Sequence, residues 1–477
     1  MPERINYNLD YGEVKINAMI RIMAHVVFAG VILFTLQAFV CLMFWGRVSN
    51  TISTNSHTMY YSQIYLKYCS IFTAVALFIY YMLKTVRFCG LQKRLETNKV
   101  LNDLILLPFA AMLVWALIST FKSPNIEKSL YGSGYINEGY FTVLQYATVF
   151  LSAYSIKDEI SFSKKTIAYI FIALAGIIEL SLLCAEAFNF PIAKYVFLGV
   201  FNNSNHFGYF LAMSATMTFG AVVYSKNNIQ SVVVSLLLML NVYYLFVSNA
   251  LGANLAYLGG IVFIVCSGFI SKKLKWKRLL FALGLSAAVT LIIEVGGRTN
   301  LWKSYIELLD DVKRIFLNYK NGGGEDVSSA GTSRFGLWSR TIKVIARVPW
   351  FGKGLDLYYS NNIYDPSLDV AHNEYLTMAS NIGIPGLVMY SIALVWWFVR
   401  AIMARKYLSH VDLILLSGAF AYLISAVFGN SFTYTYPYFL LFFALSIQSR
   451  PGKGLEYELL QQQNDGIILS TTHILRE

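Results

Sequence analysis

The chain has 477 residues, of which 56% are hydrophobic and 13% charged, with a net charge of +12. Soluble globular chains carry about 25% charged residues, so this composition excludes an ordinary soluble domain and predicts a membrane protein that crosses the bilayer many times. The basic balance would admit nucleic acid as a partner, but its distribution along the chain excludes that reading.

A spanning helix needs about 20 apolar residues. The first apolar run, Met19 to Trp45, exceeds a signal-peptide core and lacks a small-residue cleavage site, so it reads as a retained helix. Eleven further segments follow, centred near Ala74, Ala111, Ala147, Ala175, Leu211, Leu238, Gly260, Ala287, Ala393, Tyr422 and Leu441. The expected fold is all-α, a polytopic membrane protein of about 12 transmembrane helices. With the N-terminus cytoplasmic, seventeen Lys and Arg fall in inside loops, for example Lys84, Arg87, Lys272, Lys277 and Arg405. Only Arg47, Lys67, Lys122, Lys128 and Lys194 fall in short outside loops. This bias sets orientation and accounts for the charge as topology. Both termini are then cytoplasmic.

The same count places 296–382 outside, between helices nine and ten, as a large helical loop. Within it "LWKSYIELLDDVKRIFLNY" and "RFGLWSRTIKVIARV" read as amphipathic helices. "NGGGEDVSSAGTS" reads as a flexible link, and Pro349 ends the second helix. The expected organisation is 1–295 with helices one to nine, 296–382 as the extracytoplasmic catalytic loop, 383–447 with helices ten to twelve, and 448–477 as a cytoplasmic tail. Cys41, Cys69, Cys89, Cys184 and Cys266 show no metal or disulfide spacing and read as small core residues.

His372, in "DVAHNEYLTMASNIGIPG", can exchange a proton near neutral pH. The competing reading makes it a surface residue, with Asn373 and Glu374 as ordinary first-turn or capping residues. Arg334, Arg340 and Arg298 could hold phosphate bidentately, or simply snorkel to lipid headgroups. Asn202, Asn203, Asn205 and His206 open helix six and could cap it or grip sugar hydroxyls. Glu179 lies deep in helix five, and Glu186 nearer its end. No nucleotide, metalloprotease or nucleophilic-serine motif occurs in the outer segment, so no metal and no cofactor is expected. The energy of any reaction there would come from an activated substrate.

The stretches "RFGLWSRTIKVIARVPWFGKGLDLYYSN" and "AHNEYLTMASNIGIPGLVMYSIAL" resemble the signature region of the O-antigen ligase and O-antigen polymerase family. Arg334, Trp338, Pro349, Gly352, Gly354, His372, Asn373, Tyr375, Leu376, Gly383, Gly386 and Leu387 fill its pattern. "NNSNHFGYFLAMS" and "NEGYFTVLQY" extend the likeness, which covers roughly Asn137 to Leu394. The resemblance implies a metal-independent, inverting membrane glycosyltransferase of the bacterial inner membrane. Its donor would be a glycan on undecaprenyl pyrophosphate, its acceptor a glycan or lipid core. His372 would be the general base and Arg334 the pyrophosphate ligand. Arg340, Arg298, Asn373, Asn205, His206 and Glu374 would bind substrate. Many relatives carry a second arginine at the start of helix eight; Leu251 stands there, so either another cation, Arg298 or Arg340, would substitute, or donor recognition differs. A transporter or flippase of the same lipid-linked sugar is the alternative.

Overall fold

A computed structural model describes residues 3–45, 55–90, 105–132, 137–201, 203–225, 228–320, 333–358, 361–430 and 433–448. Asn202, the expected link after Lys320 and the tail beyond 448 lie outside the described residues. Every described regular element is helical, as the composition requires: without water, backbone groups must bond within their own segment.

In chain order the α-helices are α1 (Glu3–Thr35), α2 (Gln37–Trp45), α3 (Asn55–Gly90), α4 (Leu106–Lys122), α5 (Ile126–Tyr131) and α6 (Tyr140–Ile156). Next come α7 (Ser163–Ala187), α8 (Ser204–Tyr224), α9 (Asn228–Val247), α10 (Leu251–Ile270) and α11 (Trp276–Val295). The chain closes with α12 (Leu301–Lys320), α13 (Arg334–Arg347), α14 (Glu374–Met403), α15 (His410–Ser425) and α16 (Tyr436–Ser446). A 3-10 stretch, Pro191–Phe201, joins α7 to α8.

All twelve apolar segments form helices among the described residues, and eight are long and apolar enough to cross a membrane. The chain is an all-α polytopic membrane protein. Four of the twelve are shorter: α4 and α6 have 17 residues, α15 has 16 and α16 has 11. At 1.5 Å per residue, α16 covers only about 17 Å. Polar residues interrupt its run: Asn430, Thr433 and Thr435 stop the helix short of its apolar length. The first apolar run is also divided, at Leu36, between α1 and α2. Buried Gln37, just past that break, donates to Ser62 Oγ at 2.8 Å and to the Thr433 carbonyl at 2.7 Å.

The bundle is built around α8, buried along its whole length from Phe207 to Tyr224 and packed by α9, α10 and α15. A helix apolar on every side belongs inside, and its Gly, Ala, Ser and Thr residues let neighbours approach closely. α16 is likewise buried, against α6 and α15. Of the cysteines, Cys41 and Cys69 are buried as expected. Cys184 and Cys266 are exposed, because they fall on the outward faces of α7 and α10, where the surface is apolar.

The two amphipathic helices appear as α12 and α13. α12 follows α11 closely because Glu294 accepts from the Thr299 hydroxyl and the Leu301 amide at 3.0 and 2.9 Å. After α13 the chain makes the Pro349–Gly354 turn and reaches α14. α14 is broken at Gly383 (φ 78°, ψ 171°). Glu374–Ile382 forms one piece, and Pro385 sits in the first turn of the next, where its missing N–H costs nothing.

That break and the turn interlock. The amides of Lys353 and Gly354 donate to the carbonyls of Ser380 and Asn381 at 2.7 and 3.0 Å, and the Ile384 amide donates to Pro349 at 2.8 Å. Trp115 Nε1 from α4 donates to Trp350 and Ile382 carbonyls at 3.2 and 3.0 Å. Ser119 Oγ reaches the carbonyls of Asn381 (3.0 Å) and Phe351. Gly352 and Gly383 both have positive φ, and a Cβ on either would collide with backbone of the other strand of the contact. The glycines are there because two main chains touch.

Candidate functional site

Four segments converge beside His372. The first is 369–374 itself. His372 adopts left-handed backbone (φ 48°), a conformation in which histidine is enriched but still uncommon. Its flanks hold it there. Asn373 Oδ1 accepts from the Leu376 amide at 3.0 Å and caps α14. The Glu374 amide donates to the Ala426 carbonyl, past the end of α15, at 2.8 Å. Glu374 is buried, with Tyr422 Oη donating to Oε2 at 2.7 Å and Tyr390 Oη to Oε1 at 3.2 Å.

The second segment is the start of α13. Arg334 is its first residue and follows Ser333, also left-handed (φ 66°). The third is the start of α8, where Asn203 caps the helix by accepting from the amides of Asn205 and His206 at 3.0 and 3.1 Å. The fourth is the connection from α15 to α16. Its Tyr434 meets the His206 ring edge-on, centroids 5.7 Å apart. Tyr209, one turn into α8, lies 6.3 Å from the same ring and donates its hydroxyl to the Phe428 carbonyl at 2.7 Å.

Electrostatics tie these groups together. Burial depresses the His372 pKa below its usual value, the Arg334 guanidinium depresses it further, and Asp369 opposes both. The charge of Arg334 is felt at Tyr209, and a proton on His372 would be felt at His206. The arrangement therefore pairs a neutral imidazole with a permanent cation. A neutral imidazole can accept a proton, and a fixed guanidinium can stabilise an anion.

The structure separates the other arginines from this group. Arg340 grips Asp365 through Nε and Nη2 at 2.9 and 2.7 Å and also donates to Ser367 Oγ. These bonds hold the Asp365 pKa down at about 2 and raise that of Arg340. Arg347 donates to the Tyr364 carbonyl at 2.7 Å. The basic face of α13 thus fastens the 361–369 loop. Arg298 sits at the end of α11 and pairs with Glu186 at 3.2 Å, mostly exposed. Glu186 also accepts from Tyr244 at 3.1 Å. Glu179 accepts from Asn241 Nδ2 at 3.3 Å, the partner the sequence did not reveal. Leu251 begins α10.

Lys353 is not among the residues that the sequence singled out. Lys353 is buried beside the interlocked turn. Its Nζ donates to the Leu357 carbonyl and lies 4.0 Å from the Tyr358 ring centroid. Burial lowers its pKa to about 7, against the pull of Asp356. A lysine inside "PWFGKGLDLYY" was the available signal. Glu138 was also missed: it is buried before α6 and accepts from Tyr146 Oη at 2.5 Å. Burial pushes its pKa well above the carboxylate range.

Fold and site together define a polytopic helical membrane protein with an imidazole–guanidinium site assembled at one end of its bundle. Residues 234–391 match the family model described as O-antigen ligase. That stretch runs from α9 to the middle of α14, 158 of the 477 residues, contains both Arg334 and His372, and supports a likeness to the O-antigen ligase/polymerase family. Comparison with curated proteins finds no match.

Proposed function

We propose that the chain transfers a glycan from undecaprenyl pyrophosphate to an acceptor sugar hydroxyl at the outer face of the bacterial inner membrane. O-antigen ligase-like work in polysaccharide assembly is what the matched family does; donor, acceptor and orientation are our reading. The observation that carries it is the electrostatic interaction of His372 with Arg334, almost forty residues away in the chain, and with His206 at the start of α8. In this reading 296–382 is the extracytoplasmic catalytic loop between the 1–295 and 383–447 helices, and both termini are cytoplasmic, as the Lys and Arg bias supports.

His372 takes the proton of the acceptor hydroxyl as its oxygen attacks the anomeric carbon. The bond from that carbon to the pyrophosphate oxygen breaks, and the lipid pyrophosphate departs as an anion beside Arg334. Attack from the face opposite the leaving group inverts the anomeric centre. The reading needs no metal, because Arg334 supplies the positive charge. Asn205 and His206, at the start of α8, would meet sugar hydroxyls in this reading. Arg340 and Arg298 are spent on Asp365 and Glu186, which leaves Arg334 as the donor's cation.

The test is transfer of a lipid-linked glycan by purified variants. Asparagine tolerates left-handed backbone, so His372→Asn keeps the fold and removes the base. Loss of a general base lowers rate about 10²–10⁴-fold, and Arg334→Gln is expected to be as damaging. Full activity in His372→Asn would remove the base from the mechanism. Product analysis in a deletion strain separates the two family chemistries: single-repeat products mark a lost polymerase, and full-length polymer left on its carrier marks a lost ligase.

A further inference from the structure

A cavity of about 340 Å³ lies between α4 and α6, within the size range of small-molecule sites. Its walls are apolar: Phe109, Ala110 and Leu113 on one side, Val143, Ala147 and Leu151 on the other. Ala110 and Leu151 are exposed on the outer surface of the bundle, which for membrane helices is the surface that faces hydrocarbon. The slot therefore opens sideways toward lipid chains.

Part of its lining is polar. Glu138, Glu374, Asn381 and Asn430 line it, with Tyr146 and Tyr436 beside them. Both carboxyls are buried and already take tyrosine hydroxyl donors. Thr377 Oγ1 orients Asn430 by donating to Oδ1 at 3.2 Å. Among the described residues, no Lys or Arg lines this cavity. A phosphate pushed in here would meet two acidic groups and no compensating cation, an uncompensated buried charge. A head bearing neutral hydroxyls finds both acceptors and donors among these residues.

The cavity and the His372 site share a wall. Val370 and Glu374 line the cavity, whereas His372 between them answers to Arg334 and His206. Segment 370–374 is thus shared, with Val370 and Glu374 lining the cavity and His372 facing the charges of Arg334 and Asp369.

We propose that this cavity is a second lipid site, which takes one hydrocarbon chain of a neutral, hydroxyl-headed amphiphile between α4 and α6 and hydrogen-bonds its head to Glu138 and Glu374. The proposal is independent of glycan transfer. The experiment uses the full chain in phospholipid nanodiscs and two photoreactive probes with the same diazirine-bearing chain: a monoacylglycerol and a lysophosphatidic acid. Adducts are mapped by peptide mass spectrometry over 106–122 and 140–156. The monoacylglycerol should label these helices saturably and at least tenfold more than the phosphate probe. Ala147→Trp, which fills the slot, should lose that labelling at least tenfold. His372→Asn should keep it, so that failure of the transfer reading and failure of this one are distinguishable. Equal labelling by the two probes, labelling that does not saturate, or full labelling of a folded Ala147→Trp would overturn the proposal. Should Ala147→Trp fail to fold, the comparison of the two probes on the native chain decides alone.

Discussion

Gly383→Ala tests whether the interlocked turn holds the candidate site in place. The native φ and ψ of 78° and 171° lie in a region that is essentially glycine-only and costs other residues about 1–3 kcal/mol. The added Cβ would also run into the carbonyls of Trp350 and Pro349. For the turn to retreat, the Ile384–Pro349 bond and the shared Trp115 donor must be given up, at about 1 kcal/mol each. Together these give about 3–5 kcal/mol, or roughly 3–5 °C in melting midpoint when the per-residue unfolding entropy is scaled to a chain of this length. Gly284→Ala is the control. It lies in regular helix inside α11, its Cβ would meet nothing within 4 Å, and the helical preference for Ala returns up to about 1 kcal/mol. Its midpoint should stay within about 1 °C. The assay is a thermal scan of both variants by fluorescence-detected size exclusion in one detergent. Equal shifts for the two, or no shift for Gly383→Ala, would refute the claim that backbone contact at this break is what demands glycine.

The other predictions are smaller. If neutral His372 is the base, transfer rate rises with pH through a value below 6.5, because burial and Arg334 both depress its pKa, and is flat above. Arg334→Gln removes one depressing charge, so the acid limb of its residual activity should move to higher pH; initial rates from pH 4.5 to 8 show the direction. Asn373→Ala removes the cap of α14 and should cost about 1 kcal/mol, read as a lower melting midpoint. Arg340→Gln should cost only about 0–1 kcal/mol, since the pair is partly exposed, while hydrogen exchange in 361–369 speeds up. The Asp365 pKa is lowered to about 2, so this difference should hold above the usual carboxylate range and fade as pH falls toward 2.

Much of the fold was legible because a spanning helix announces itself by length and apolarity. The twelve centres, the amphipathic character of α12 and α13 and the stop at Pro349 all follow from local pattern. Helix lengths were less legible. α16 starts late because the chain just before it is engaged elsewhere: the Thr433 carbonyl accepts from Gln37, almost 400 residues away, and no local pattern encodes that. His372, Asn373 and Arg334 could be picked out by residue type and by resemblance. Arg340 and Arg298 could not be separated from Arg334 in the same way, since all three are arginines in one polar segment. What distinguishes them is the presence of Asp365 and Glu186, and carboxylates find their partners only after folding. Glu138 was invisible for a related reason: a glutamate before an apolar run reads as a surface residue until α4, α6 and α14 close around it.

The positions of Ser333 and His372 show how the fold spends its stability at this site. Each is a non-glycine residue in left-handed backbone, at a cost of about 1–3 kcal/mol, and each lies at or beside one of the two groups that would act on substrate. Such strain persists only where the surroundings over-determine it. At His372 they do, because Asn373 caps α14, Glu374 is held by two tyrosines and by Ala426, and the Gly383 break is clamped to α4 nine residues later. The glycines and amides of the signature therefore serve the histidine indirectly, by fixing a main chain that the histidine alone would not adopt. A stabilising His372→Gly substitution follows from this logic. It should relieve the strained backbone and leave the melting midpoint unchanged or raised, while transfer is lost as completely as in His372→Asn. A lower midpoint would mean that the imidazole itself, and not its neighbours, holds the segment together.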